Sequence, residues 1–193
     1  MIAGFVAPTG GTLLLNDQSI VHLPPYKRAR KGLVYLSQEA SVFRSLTVEE
    51  NIRAIAQTLR GDRKSEDEIV QQRMEQLGIE RLAAQKANTL SGGERRRLEI
   101  ARALVLSPDF LLLDEPFSGV DPKSVSEVSE IINSLKSNGM GILLTDHNVR
   151  ETLRAVDRAY LLYEGNVLAH GSAEFLISDP DTRTKYLGVD FKA

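Results

Sequence analysis

The sequence predicts an α/β fold with a mostly parallel sheet flanked by helices, and with a helical segment inserted between strands. Three observations carry that expectation. Residues 33–36, 110–113 and 142–144 are short apolar runs of the kind buried on both faces of a parallel sheet. A capped helical pattern separates the last two runs, which implies right-handed crossover connections. The stretch 47–94 reads as mostly helical and interrupts the alternation.

Residues 12–15 predict a short strand ending at the turn residues Asn16 and Asp17. Lys27, Arg28, Arg30 and Lys31 form a basic run behind Pro24 and Pro25. A solvated helix face, or an edge turned to a phosphate-bearing partner, accounts for it better than a nucleic-acid patch. Thr47 with Glu50, and Ser65 with Glu68, both have capping-box spacing. Residues 61–64 separate the two helices so capped, and apolar residues at 69, 70, 74 and 77 give the second one packed face. A helix over about 92–106 stops at Ser107 and Pro108, because proline has no N–H for the next turn. Asp121 as N-cap and Pro122 at the first helical position open a helix that ends near Asn138 and Gly139. A hairpin turns about Glu164, Gly165 and Asn166, and short helices close the chain.

The 193 residues are 42% apolar and 26% charged, enough for a single domain with its own core and unlike a disordered chain. A net charge of −2 argues against bulk electrostatic binding to nucleic acid or to an anionic membrane. The absence of cysteine excludes a disulfide framework, a thiol nucleophile and a Cys-ligated metal, and fits a reducing compartment. No run approaches the roughly 20 apolar residues that span a bilayer. The first residues lack the basic and long apolar regions of a secretory signal, so a cytoplasmic or peripheral location is expected.

Each apolar strand runs into polar residues: Gln38 after the first, Asp114 and Glu115 after the second, Asp146 and His147 after the third. The carboxyl ends of parallel strands point to the edge where open α/β sheets bind ligands. An amide, carboxylates and an imidazole at that edge suit Mg²⁺ and phosphate. Neighbouring residues at a strand end diverge, so one of Asp114 and Glu115 can serve Mg²⁺ while the other orients or deprotonates a water. The alternative for that pair is a capped strand end with solvated carboxylates. Ser91 to Glu94 opens the following helix as a capping box. The same unpaired N–H groups, beside the side-chain-free Gly92 and Gly93, would let a phosphate approach closely. His22 and His170 have no such context.

Taken together, Gln38, Leu90 to Glu94 with Arg95 to Leu98, Leu111 to Pro116, Asp121 and His147 resemble an ABC transporter ATPase. They look like its Q-loop, signature motif, Walker B strand, D-loop and switch histidine, in order, across essentially the whole chain. The resemblance implies a P-loop NTPase-type sheet in one domain spanning 1–193. Within it, a helical subdomain would occupy about 40–94, and a RecA-like core residues 1–39 plus 95–193. Segments 35–44, 145–153 and 186–191 are similar to the branch of the family that powers lipopolysaccharide export from the bacterial inner membrane. Ser37 stands where that branch usually has proline. Importer ATPases for branched-chain amino acids share the layout, but segments 145–153 and 186–191 disfavour them.

The resemblance also implies roles. ATP and Mg²⁺ would be the cofactors. Gln38 would contact Mg²⁺ and the attacking water, Asp114 would hold Mg²⁺ through water, Glu115 would be the general base and His147 would contact the γ-phosphate. Ser91, Gly92 and Gly93 would face ATP held by a second ATPase subunit, a homodimer in the family, and Asp121 would couple the two sites. A groove near Phe43 and Arg44 would receive a helix from a transmembrane permease subunit of the exporter. The protein would sit on the cytoplasmic face of the inner membrane, touching the membrane only through partners and binding no nucleic acid.

No G-x-x-x-x-G-K-[ST] occurs among these residues. The resemblance places that loop directly upstream of the segment matching Met1 to Gly11, with its feeding strand and the adenine-stacking aromatic. Met1 to Val6 would then be the end of the helix that follows it. An interior strand has roughly 5–6 residues. Its loss, at about 1–3 kcal/mol per buried unpaired group, comes to on the order of 10 kcal/mol. A whole domain has about 5–15 kcal/mol. The expectation is an N-terminally truncated domain that folds poorly alone or belongs to a longer product. As it stands it could offer Ser91 to Gly93 to a complete partner without holding its own nucleotide, as a non-hydrolysing subunit or a decayed gene product would.

Overall fold

The computed structural model describes residues 1–59, 63–119 and 121–184. In order, the elements are β1 (Leu14–Leu15), β2 (Gln18–Ser19), α1 (Pro25–Arg30), β3 (Leu33–Leu36), α2 (Val48–Ala56) and α3 (Arg63–Leu77). Two 3-10 turns lead to α4 (Gly92–Leu104), β4 (Phe110–Asp114), α5 (Pro122–Ser137) and β5 (Gly141–Thr145). Then come α6 (Val149–Ala155), β6 (Ala159–Tyr163), β7 (Asn166–Gly171), α7 (Ala173–Ser178) and α8 (Pro180–Thr182). The chain divides into two compact units, the first Met1–Leu144 and the second beginning at Thr145. Among the described residues, no helix is long and apolar enough to cross a membrane.

In the first unit β3, β4 and β5 form one sheet in that order, and β3 pairs with β4 in parallel, Leu33 opposite Phe110 and Leu36 opposite Leu113. Leu111, Leu112 and Leu113 are buried, as an interior strand requires. Ile20, Leu33 and Leu112 form a core cluster against which Leu13, Leu15, Tyr35 and Phe110 pack. β5 is tucked so closely beside β4 that a Cβ on Gly141 would lie 2.3 Å from the Phe110 ring. The strand expected at 142–144 is present as β5, but it is not buried. Leu143 is exposed and Ile142 and Leu144 are half-buried, because β5 is an edge of the described sheet with a neighbour on one side only.

The helical stretch is present. Thr47 caps α2 with a complete capping box, while Val48, Ile52 and Ala56 face inward against α3 and α4. Val70, Met74 and Leu77 bury the facing side of α3. Ser65 is not a cap, since the helix already includes Arg63 and Lys64, both good helix formers. Of the 61–64 break, Gly61 and Asp62 lie outside the described residues. The strand expected at 12–15 is shorter and belongs to a hairpin, with Asn16 and Asp17 both at positive φ between β1 and β2.

The basic run around Arg28 is corrected by the structure. Arg28 is buried and donates to the carbonyls of Met1, Ile2, Val21 and Leu23 at 2.6–2.9 Å. It is a structural pin, because four converging carbonyls compensate a guanidinium out of water.

In the second unit, β6 and β7 form the expected antiparallel hairpin, with Glu164 and Gly165 at positive φ. Asn148 caps α6 and Ser172 caps α7.

Candidate functional site

Parallel pairing of β3 and β4 builds the site. With Leu36 opposite Leu113, the residues two positions further on, Gln38 and Glu115, leave the sheet side by side. Gln38 Nε2 donates to Glu115 Oε2 at 2.7 Å. One residue back along β4, Asp114 Oδ2 accepts the Tyr35 hydroxyl at 2.8 Å. The two adjacent carboxylates thus take different partners, as alternation at a strand end requires. Burial, then the bond to Asp114 and its charge, pushes the Tyr35 hydroxyl above its ordinary pKa. Glu115 has a φ of 44°, in the left-handed region that costs a side-chain-bearing residue about 1–3 kcal/mol.

An open cleft lies at these strand ends, lined by Gln38, Ala40, Glu115, Gly92, Arg95 and Arg96 among others. The start of α4 therefore borders the same cleft. Ser91 caps α4 by a reciprocal box: its Oγ accepts Glu94 N–H at 3.3 Å and its own N–H reaches Glu94 Oε2 at 3.0 Å. The Ser91 hydroxyl also donates to Glu94 Oε2 at 2.8 Å. The Ser91 N–H, then its hydroxyl, hold the Glu94 carboxyl below the usual range. Gly93 is buried against α5, where an added Cβ would stand 2.7 Å from Ser124 Oγ. That Oγ donates to Asp121 Oδ2 at 2.6 Å, and Asp121 Oδ1 accepts the N–H groups of Lys123 and Ser124, each at 3.1 Å. The Ser124 hydroxyl, then its N–H, lower the Asp121 pKa.

Phe43 and Arg44 lie on the loop between β3 and α2, and both are exposed. Asn51, wholly buried, holds both backbone groups of Phe43, accepting its N–H at 2.8 Å and donating to its carbonyl at 3.0 Å. The Arg102 guanidinium lies 4.6 Å from the centre of the Phe43 ring.

His147 belongs to the second unit. It precedes α6 with its side chain largely exposed, and its Nδ1 is 3.8 Å from Asp146 Oδ1. The Asp146 side chain is buried, and its Oδ1 also accepts the Asn148 N–H at 2.8 Å.

Among the described residues no three His, Cys, Asp or Glu side chains gather into a metal-binding group. Mg²⁺ does not require one. It binds one or two protein oxygens together with waters and substrate phosphates. The Asp114 carboxylate and the Gln38 amide oxygen supply such hard donors at adjoining strand ends, so the residues present fit that ion.

The structure thus joins Gln38 to Glu115, places Gly92 on the same cleft, and links Gly93 to Asp121 through Ser124. Sequence reasoning gave no role to Tyr35 or Arg96, which lie within the segments that carry the resemblance, and it missed Asn51 and Glu99. Asn51 and Glu99 did leave a signal, since each is a polar residue inside the apolar face of its helix, beside Val48 and Ile52 or Leu98 and Ile100.

The sequence pattern of the ABC transporter family matches residues 1–118. The chain belongs to this family. This cassette is 48% identical over 191 residues to an uncharacterized ABC transporter ATP-binding protein of Rhizobium meliloti, covering 99% of this chain and 71% of that protein. It is 47% identical over 192 residues to the lipopolysaccharide export system ATP-binding protein LptB of Acidithiobacillus ferridurans, covering 100% of this chain and 80% of that one. Its fold matches the ADP conformation of MJ1267, an ATP-binding cassette of an ABC transporter, with a TM-score of 0.84 at 26% identity over 97% of this chain and 80% of that chain. The expected α/β class and family resemblance are borne out. Segment 186–191, part of the narrower resemblance, lies outside the described residues.

Proposed function

We propose that this cassette is the ATP-binding, ATP-hydrolysing subunit of an ABC transporter that powers lipopolysaccharide export from the inner membrane. The observation that carries the reading is 47% identity, over the whole chain, to an ATPase of lipopolysaccharide export. The Gln38–Glu115 bond at the strand ends supports it, because an amide beside a carboxylate is an arrangement able to orient a water for attack on phosphorus.

When bound, ATP with Mg²⁺ supplies the transferable phosphoryl group and neutralises its charge. Asp114 and the amide oxygen of Gln38 would hold the metal. Glu115 takes the proton of the attacking water, and His147 donates to the γ-phosphate. Ser91, Gly92 and Gly93, at the start of α4, face nucleotide held by a second copy of the subunit, and Gly92 and Gly93 offer it the first N–H groups of the helix. Asp121 couples the two sites by capping α5 beside Gly93. The helical subdomain, about 40–94, carries Phe43 and Arg44, which receive a helix of the transmembrane permease; residues 1–39 and 95–193 form the catalytic core. The subunit works on the cytoplasmic face of the inner membrane and meets the membrane through those partners.

Complementation tests the reading. In a Gram-negative strain depleted of its own lipopolysaccharide-export ATPase, this gene in its native chromosomal context restores growth and surface lipopolysaccharide, whereas Glu115→Gln does not. Restored uptake of branched-chain amino acids in a strain lacking that importer's ATPase, without rescue of export, would overturn it.

A further inference from the structure

The loop that carries Gln38 runs from the end of β3 at Leu36 to the start of α2 at Val48. Its first half is held by one face of α4. Glu99 Oε1 accepts the Ser41 N–H at 3.0 Å, and Glu99 Oε2 accepts Arg96 Nη1 at 2.9 Å. The same Nη1 reaches the Ser37 carbonyl at 3.4 Å. One helical turn further on, Arg102 Nη1 donates to the Ser41 carbonyl at 2.5 Å. Arg96, Glu99 and Arg102 recur every three residues, so they share one stripe of the helix.

The pair at the centre of this stripe is buried, with side-chain exposures of 7% for Arg96 and 5% for Glu99. A buried ion pair is a poor route to stability, since desolvation opposes the mutual attraction. This one is also incomplete, because Arg96 Nε and Nη2 are buried without a hydrogen-bond partner. What the pair does accomplish is to grip the loop at Ser37 and Ser41, the two positions that bracket Gln38.

We propose that Glu99 is a positioning residue: through the Ser41 N–H it sets Gln38 against Glu115. Glu99 lies two turns along the helix that Ser91 caps, so it also ties Gln38 to Gly92 and Gly93. A shift in the first turn of α4 is carried to Gln38 through these side chains. The inference rests on the reading of Gln38 and Glu115 as parts of the ATPase site, and it adds a residue that neither motif contains.

Nuclear magnetic resonance of the ¹⁵N-labelled full chain, without nucleotide, tests it. The Gln38 side-chain amide signal is assigned by its loss in Gln38→Ala. In Glu99→Ala that signal moves toward the position of a free glutamine amide. Backbone exchange at 38–43 rises at least tenfold, while residues 100–104 keep their protection. Glu99→Gln, which retains an oxygen for the Ser41 N–H, restores both readouts. Should Glu99→Ala not fold, Ser41→Pro takes away the N–H that Glu99 accepts while leaving Arg96 and Glu99 unsubstituted, and it gives the same shift of the Gln38 signal. An unchanged Gln38 signal in the folded variant, or Glu99→Gln behaving like Glu99→Ala, overturns the proposal. Because no nucleotide is used, that failure is distinct from failure of the ATPase reading, which complementation decides.

Discussion

Gln38 and Glu115 stand 77 positions apart in sequence and 2.7 Å apart in space, because parallel pairing sets Leu36 opposite Leu113. Replacing Glu115 with Gln keeps the size and a hydrogen-bonding end but removes the base. Phosphate release by the assembled transporter should fall about 10²–10⁴-fold, the usual contribution of a positioned base. A loss below about tenfold would remove Glu115 from that role.

Gly93 leaves no room for a side chain. A methyl group there meets the Ser124 hydroxyl at 2.7 Å, and that hydroxyl is already bonded to Asp121. Gly93→Ala should cost about 1–2 kcal/mol in urea unfolding, the range of mild overpacking. In a Ser124→Ala background, where the clashing oxygen is gone, the same substitution should cost less than it does in the unaltered chain. An equal cost in both would place the strain elsewhere.

Asn51 satisfies the backbone of Phe43 and donates to the Thr47 carbonyl at 2.9 Å from a fully buried position. Asn51→Ala abandons these groups and should destabilise the fold by about 3 kcal/mol. Amide exchange should rise first at residues 43–47. A loss below about 1 kcal/mol would show that water takes over the contacts.

The pH dependence follows from Glu94. Its folded-state pKa lies below the ordinary 4.5, owing first to the Ser91 N–H and then to its hydroxyl. A depressed value means the unfolded chain takes up the proton first. The stabilisation is therefore whole above about pH 4.5 and drains away as pH falls through the lowered value. Asp121 behaves alike below its ordinary 3.8. Melting temperatures from about pH 6 to about pH 3 should drop less steeply for Glu94→Gln, which keeps the capping box but does not titrate. Equal slopes would refute this.

Local signals were legible wherever the partner was close in sequence. Thr47 with Glu50, Ser91 with Glu94, and Asp121 with Pro122 all form the caps their spacing announces. Ser65 with Glu68 has the same spacing and forms none, because spacing does not tell where the preceding turn ends. Arg28 was misread for a different reason. Its partners are backbone carbonyls at 1, 2, 21 and 23, which carry no side-chain signature. The strand ends bearing Gln38, Asp114 and Glu115 were readable from apolar runs alone. Their pairing needed the register, and the grip of Arg96 and Glu99 on the loop spans 58 or more positions.

The left-handed backbone at Glu115 has an outcome for anyone who scans that position. Asparagine and glycine tolerate such a φ far better than glutamate does. Either replacement should make the protein harder to melt while silencing its chemistry, so thermal robustness and turnover would diverge at a single residue. A screen that selects variants of this cassette by heat resistance alone would enrich the inactive ones at position 115.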